Sequence, residues 1–162
     1  MTTIVIDGRT KGKTIICADN QNTEPGWLAP CQKIYEIDEG PNEGDVICTV
    51  GAGAPGLLLI ERWKAGNVPS MSEFDDSQNL TLDTDEEFEC ALVSEGKFYM
   101  IARLFIRIPV DLPYFAVGSG GSWALGALEM GATAREAVEV ACKYDSCTGK
   151  VGRPLQYLEV PK

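Results

Sequence analysis

The sequence predicts an α+β fold in which antiparallel β-sheets carry helices on their outside. Short β-branched or period-two segments dominate the first two thirds of the chain, several of them joined by tight polar turns. Helical spacing is confined to one segment near the middle and two near the end. The resulting order is strands, one helix, strands, two helices, strand, which lacks the strand–helix alternation of a parallel sheet.

The elements follow in chain order. Thr3-Ile4-Val5-Ile6 and Lys13-Thr14-Ile15-Ile16-Cys17-Ala18 flank the turn-like Asp7-Gly8-Arg9-Thr10-Lys11-Gly12 and read as a hairpin. Lys33-Ile34-Tyr35-Glu36-Ile37 alternates as a half-buried strand does, whereas Asp45 to Val50 is nearly continuously apolar and predicts a strand covered on both faces. Gly51-Ala52-Gly53-Ala54-Pro55-Gly56 reads as a turn into a helix from Leu57 to Ala65, stopped by Gly66 and Pro69. Residues 67–86 have no period, and Glu73 to Glu89 carries eight carboxylates and no basic residue, the pattern of a solvated loop. A second hairpin, Phe88–Val93 and Lys97–Arg103, turns at Ser94-Glu95-Gly96, and Leu104–Pro109 and Tyr114–Val117 are further strands. Ser122 to Met130 has helical spacing, with Trp123, Leu125, Ala127 and Leu128 as its apolar face. Thr133 and Glu136 form a capping box for a last helix whose apolar positions are Ala134, Ala137, Val138 and Ala141. Leu155 to Val160 closes the chain as a strand.

The length of 162 residues reads as one domain, 1–162, able to build its own core. A net charge of −10 opposes binding to nucleic-acid phosphates, so no nucleic-acid partner is expected. No apolar run approaches a membrane span and no basic-then-apolar leader opens the chain, so a cytoplasmic, membrane-free protein is expected. The six cysteines form no CxxC pair, and five lie in apolar or small-residue stretches, where reduced core thiols are expected. No metal and no cofactor is called for.

The chain has no histidine, which removes the usual general base and the commonest metal ligand together. A nucleophile then needs another base. The α-amine of an N-terminal threonine is one, with an unperturbed pKa of roughly 7.7–8.0. A neighbouring ammonium lowers that pKa and leaves more free amine at neutral pH. The chain begins Met1-Thr2-Thr3, so removal of Met1 would expose Thr2.

Several segments, in order, carry a family resemblance. They are Thr2-Thr3-Ile4-Val5, Ile16-Cys17-Ala18-Asp19-Asn20-Gln21-Asn22-Thr23, Cys31-Gln32-Lys33-Ile34, Val46 to Gly53, Gly118-Ser119-Gly120-Gly121 and Asp145-Ser146-Cys147-Thr148-Gly149. Together they resemble bacterial HslV peptidases and proteasome β subunits, members of the N-terminal nucleophile hydrolases, over nearly the whole chain. The resemblance implies an antiparallel β-sandwich flanked by helices. It also implies a threonine endopeptidase working inside a ring-shaped homo-oligomer on unfolded polypeptide, with an ATPase unfoldase as a partner. Residue by residue, it makes Thr2 nucleophile and base, Lys33 its electrostatic tuner and Asp19 the partner of Lys33. Ser119 would bond the amine, Asp145 and Thr148 would complete that network, and an oxyanion N–H would lie near Gly51. Each has a plainer alternative: a turn aspartate at 19, an exposed strand lysine at 33, a turn serine at 119 and helix-end caps at 145 and 148.

The chain departs from the family in two ways. The family's second long helix is largely missing, replaced by residues 67–86, which puts docking of the ATPase in doubt. If Met1 is retained, the amine no longer belongs to Thr2. The shortness suits a virus-encoded member, and a non-catalytic assembly protein that keeps the fold is the alternative function.

Overall fold

The computed structural model describes residues 2–24, 27–51, 53–67, 88–101 and 107–162. The chain divides into two compact units, Met1–Ile34 with Leu112–Lys162, and Tyr35–Asp111.

The first unit is a four-stranded sheet in the order β10-β1-β2-β11, with every pairing antiparallel. Its strands are β1 (Thr3–Asp7), β2 (Lys13–Ala18), β10 (Tyr114–Gly118) and β11 (Gln156–Pro161), and helices α2 (Gly121–Glu129) and α3 (Ala134–Tyr144) belong to the same unit. The β1–β2 hairpin pairs Val5 with Cys17 and Asp7 with Ile15. Side chains alternate across a strand, so Val5, Ile15 and Cys17 share one face. There they pack with Ala124 and Leu128 of α2, with Ala134, Ala137, Val138 and Ala141 of α3, and with Leu155. Ile4, Ile6 and Ile16, on the opposite face, are also fully buried, as their unbroken apolar run requires. The alanine–valine stripe of α3 and the Thr133–Glu136 capping box both form as the sequence predicts. At the other end of the hairpin, Arg9 donates to Asp7, Leu128 O and Ala132 O, satisfying carbonyls at the end of α2.

One expectation for α2 fails. Its buried positions are Gly121, Ala124 and Leu128, whereas Trp123 is 51% and Leu125 38% exposed. Small residues lie against the sheet because the backbone approaches closely: a Cβ on Gly121 would sit 3.3 Å from Ala116 O. The large side chains point outward, where Trp123 stacks on Tyr144 of α3 with ring centroids 5.2 Å apart. A short hairpin, β3 (Gln21–Glu24) and β4 (Trp27–Pro30), completes this unit and was not anticipated from its polar sequence.

The second unit is a five-stranded sheet in the order β5-β6-β7-β8-β9. Its strands are β5 (Ile34–Glu36), β6 (Val46–Gly51), β7 (Phe88–Ser94), β8 (Lys97–Ile101) and β9 (Arg107–Val110), and its helix is α1 (Gly53–Lys64). Glu95 and Gly96 both take positive φ, 49° and 71°, as a two-residue turn between twisted strands requires. Helix α1 starts at Gly53 and not Leu57, because Pro55 is tolerated in a first turn that lacks backbone acceptors anyway. Its Leu59, Ile60 and Trp63 pack with Ile37, Ile47, Cys90, Leu92 and Ile101. Trp63 is fully buried and its Nε1 donates to Asp45 Oδ2 at 2.8 Å. The acidic segment 68–87 and part of the strand expected over 104–109 lie outside the described residues.

Candidate active site

The start of β1 is held from two sides. On one side, β2 runs antiparallel to β1 and ends at Ala18, paired with Ile4, so Asp19 emerges beside Thr3. Asp19 Oδ1 accepts from Thr3 N at 2.9 Å, and Oδ2 accepts from Gln21 N at 3.0 Å and Gly149 N at 3.2 Å. Lys33 Nζ donates to Asp19 Oδ1 at 2.8 Å and to Gln21 O at 2.7 Å. Lys33 is 3% and Asp19 0% exposed, which excludes the exposed-lysine alternative for Lys33. A pair this buried persists because the remaining lone pairs of the carboxylate are filled by main-chain N–H groups.

On the other side, β10 pairs its last residue, Gly118, with Thr3, so Ser119 follows directly from the strand end beside the start of β1. Ser119 Oγ donates to Asp145 Oδ2 at 2.6 Å, and Thr148 Oγ1 donates to the same oxygen. Thr148 therefore has only acceptor capacity left for Thr3, whose Oγ1 lies 2.7 Å away and donates to it. The chain of donors runs from Thr3 to Thr148 to Asp145, with Ser119 donating from the other end. Having given its proton to Asp145, Ser119 Oγ is free to accept one from an amine. Burial pushes the Asp145 carboxyl up, but the hydrogen bonds from Ser119, Thr148 and Cys147 N–H outweigh it and hold Asp145 below the usual carboxylate range.

Thr2 itself is buried, at 3% exposed, and directly precedes Thr3. The structure thus brings Thr2, Asp19, Lys33, Ser119, Asp145 and Thr148 to the start of one strand. Gly51 ends β6 in the other unit, with φ +89°, a conformation that favours glycine. Four participants escaped sequence reasoning. Thr3 supplies a hydroxyl as well as an N–H, and Gln156 bonds the main chain of Lys33 and Asp19. Gly120 and Gly149 make room, since a Cβ at Gly120 would sit 2.1 Å from Thr3 Oγ1 and one at Gly149 2.2 Å from Gln21 Oε1. The doubled Thr2-Thr3 and the glycines beside Ser119 and Thr148 were the available signals.

All six cysteines are free; burial pushes the thiols of Cys17 and Cys48 up to about 12 and that of Cys142 up to about 11.

Among the described residues the chain has antiparallel sheets and three helices, and its fold is similar to that of HslV and proteasome-like structures. Eukaryotic HslV from Trypanosoma brucei matches with a TM-score of 0.73 at 20% identity, over 99% of this chain and 99% of that one. BPH of Thiobacillus denitrificans in complex with epoxomicin matches with a TM-score of 0.70 at 16% identity, over 98% of each chain. The same BPH in a second structure gives 0.69 at 16% identity, over 98% and 97%. No protein-family model and no curated protein matches the chain. No helix among the described residues is long and apolar enough to cross a membrane.

Proposed function

We propose that the chain, folded as one domain over residues 1–162, is an N-terminal threonine peptidase of the HslV and proteasome β kind. Removal of Met1 frees the Thr2 amine. Thr2 Oγ1 attacks a peptide carbonyl while its proton passes to that amine. The amine then protonates the leaving nitrogen, giving an ester on Thr2 that water cleaves by the reverse proton path. The Lys33 ammonium disfavours the protonated amine and so leaves more of it free as base near neutral pH, and a main-chain N–H near Gly51 is the proposed donor to the oxyanion. The observation that carries the reading is the convergence of Lys33–Asp19 and Ser119–Asp145–Thr148 on the first residues of β1.

Assembly into a cytoplasmic ring belongs to the same proposal, with unfolded polypeptide as substrate and an ATPase unfoldase as feeder. Exposed Trp123, Met130 and Tyr144 on α2, its C-terminal turn and the end of α3 supply an apolar surface for self-association. The test is turnover of a fluorogenic peptide by native protein, with sedimentation alongside. Activity lost in Thr2→Ala and partly kept in Thr2→Ser, in a particle far heavier than 17.5 kDa, is expected. Equal turnover by folded Thr2→Ala overturns the mechanism, and a clean monomer overturns the ring.

One observation favours the second reading, a non-catalytic assembly protein. Asp19 accepts from three main-chain N–H groups and Thr148 from Thr3, so the network also serves as structure. Peptidase activity in native material decides against it.

A further inference from the structure

We propose that Gln156 is the positioning residue of the Asp19–Lys33 pair, acting through the main chain of both partners. Gln156 opens β11 and pairs with Ala18, the last residue of β2, which sets it beside Asp19. Its Oε1 accepts from Lys33 N at 2.7 Å and from Ile34 N at 3.2 Å. Its Nε2 donates to Asp19 O at 2.9 Å and to Cys31 O at 3.0 Å. A carboxamide has two donor hydrogens and two acceptor lone pairs, and all four are used here.

The need for such a clamp follows from the local backbone. Residues 31–33 lie between β4 and β5 and in neither strand, so their polar groups must find partners elsewhere. A lysine side chain has four rotatable bonds, and its head group is placed only as well as its Cα. The Lys33 ammonium is fixed at its tip by Asp19 and Gln21 O. Gln156 fixes the other end by tying Lys33 N to Asp19 O through a single rigid amide plane. Glutamate cannot reproduce this, because two of the four bonds need N–H donors. A hydrocarbon side chain leaves the two N–H groups and two carbonyls without this partner.

The catalytic consequence rests on the peptidase reading; the positioning itself does not, and the test separates them. In protein carrying an exposed Thr2, Gln156→Met keeps the length of the side chain and removes its hydrogen bonds. Turnover number and the rate of epoxomicin adduct formation should fall about 10- to 100-fold, with KM within about threefold, since a displaced Lys33 affects reaction more than binding. Gln156→Glu should be impaired most where its carboxyl is ionised and recover toward wild type as pH falls through the carboxyl range, when its O–H becomes a donor. The titratable residues whose main chain the amide holds are Asp19, Cys31 and Lys33, so wild type is run beside each variant as the reference. Folded Gln156→Met with wild-type turnover number overturns the proposal. If no variant, wild type included, turns over peptide, the peptidase reading fails and a footprint with an amine-reactive ester decides the clamp. Lys33 in Gln156→Met should then label about tenfold faster than in wild type, relative to Lys13 and Lys150. Equal protection of Lys33 in both proteins overturns the clamp.

Discussion

Among the described residues, the unit built on β1, β2, β10 and β11 buries Thr2, Thr3, Asp7, Thr14, Asp19, Asn20, Gln21, Lys33 and Thr148, whereas the unit built on β5 to β9 buries one polar side chain, Asp45. The single exception in the second unit is spent on packing: it anchors the indole of Trp63. In the first unit Thr3, Asp19, Gln21, Lys33 and Thr148 bond around one point, the start of β1, while Asp7 pairs with Arg9 at the far end of that strand and Asn20 bonds the main chain of residues 151–154. A core needs no such groups, and each costs about 1–3 kcal/mol if left without a partner. Both units fold apolar faces against helices, so hydrophobic burial alone does not distinguish them. The hydrogen-bonded polar cluster at the start of β1 does, and it marks the first unit as the one that carries the side chains of the candidate site.

That contrast can be broken by substitution. The largest effect is expected for Lys33→Ala. Removing the ammonium should lower turnover by on the order of 10²–10³. Breaking a buried pair also costs stability, about 3–5 kcal/mol when nothing compensates. The three N–H groups on Asp19 soften that loss, so a denaturant melt should retain a folded protein. Trp63→Ala is the converse. It should cost about 3–5 kcal/mol by urea melt and leave the rate of epoxomicin reaction in the folded protein unchanged. A large fall in that rate would show that the packing around Trp63 bears on the reaction and not on stability alone.

Gly120→Ala tests how tightly the network is packed. The added Cβ meets Thr3 Oγ1 at 2.1 Å, and Ala141 Cβ and Thr148 Oγ1 each at 2.9 Å. A loss of about 1–3 kcal/mol is expected, together with impaired turnover, because the hydroxyl chain must shift. The smallest effect concerns pH. The native carboxyl of Asp145 is held below its unfolded value, so its stabilisation is present above the unfolded pKa and is lost as pH falls through the native one. Asp145→Asn should flatten the decline of melting temperature on acidification below about pH 4, leaving the rest of the profile in place.

Much of this was legible in the sequence because the signals were local. The apolar run at β1, the two-residue turn at Glu95-Gly96 and the capping box at Thr133–Glu136 each encode their own geometry. The candidate site residues come from a resemblance carried by short ordered segments, and the plain alternative of an exposed Lys33 fails on burial. What escaped depends on contacts between distant segments. Trp123 and Leu125 have core-like spacing, but Gly121, Ala124 and Leu128 take the buried face, with the close approach of α2 to the sheet at Gly121 leaving little room there for a side chain. The polar Gln21–Glu24 strand has no period to betray it and forms by pairing with Trp27–Pro30. Gln156 reads as an ordinary strand residue, and only the return of the chain to Asp19 gives its amide four partners.

The central claim is that Thr2, once freed, is both nucleophile and base. Intact mass spectrometry of native protein, before and after incubation with epoxomicin, tests it most directly. A chain lacking Met1 that gains one inhibitor mass localised to Thr2 is the predicted result, since that epoxyketone needs a hydroxyl and a free amine on the same residue. Met1 quantitatively retained, with no adduct formed, would contradict the account.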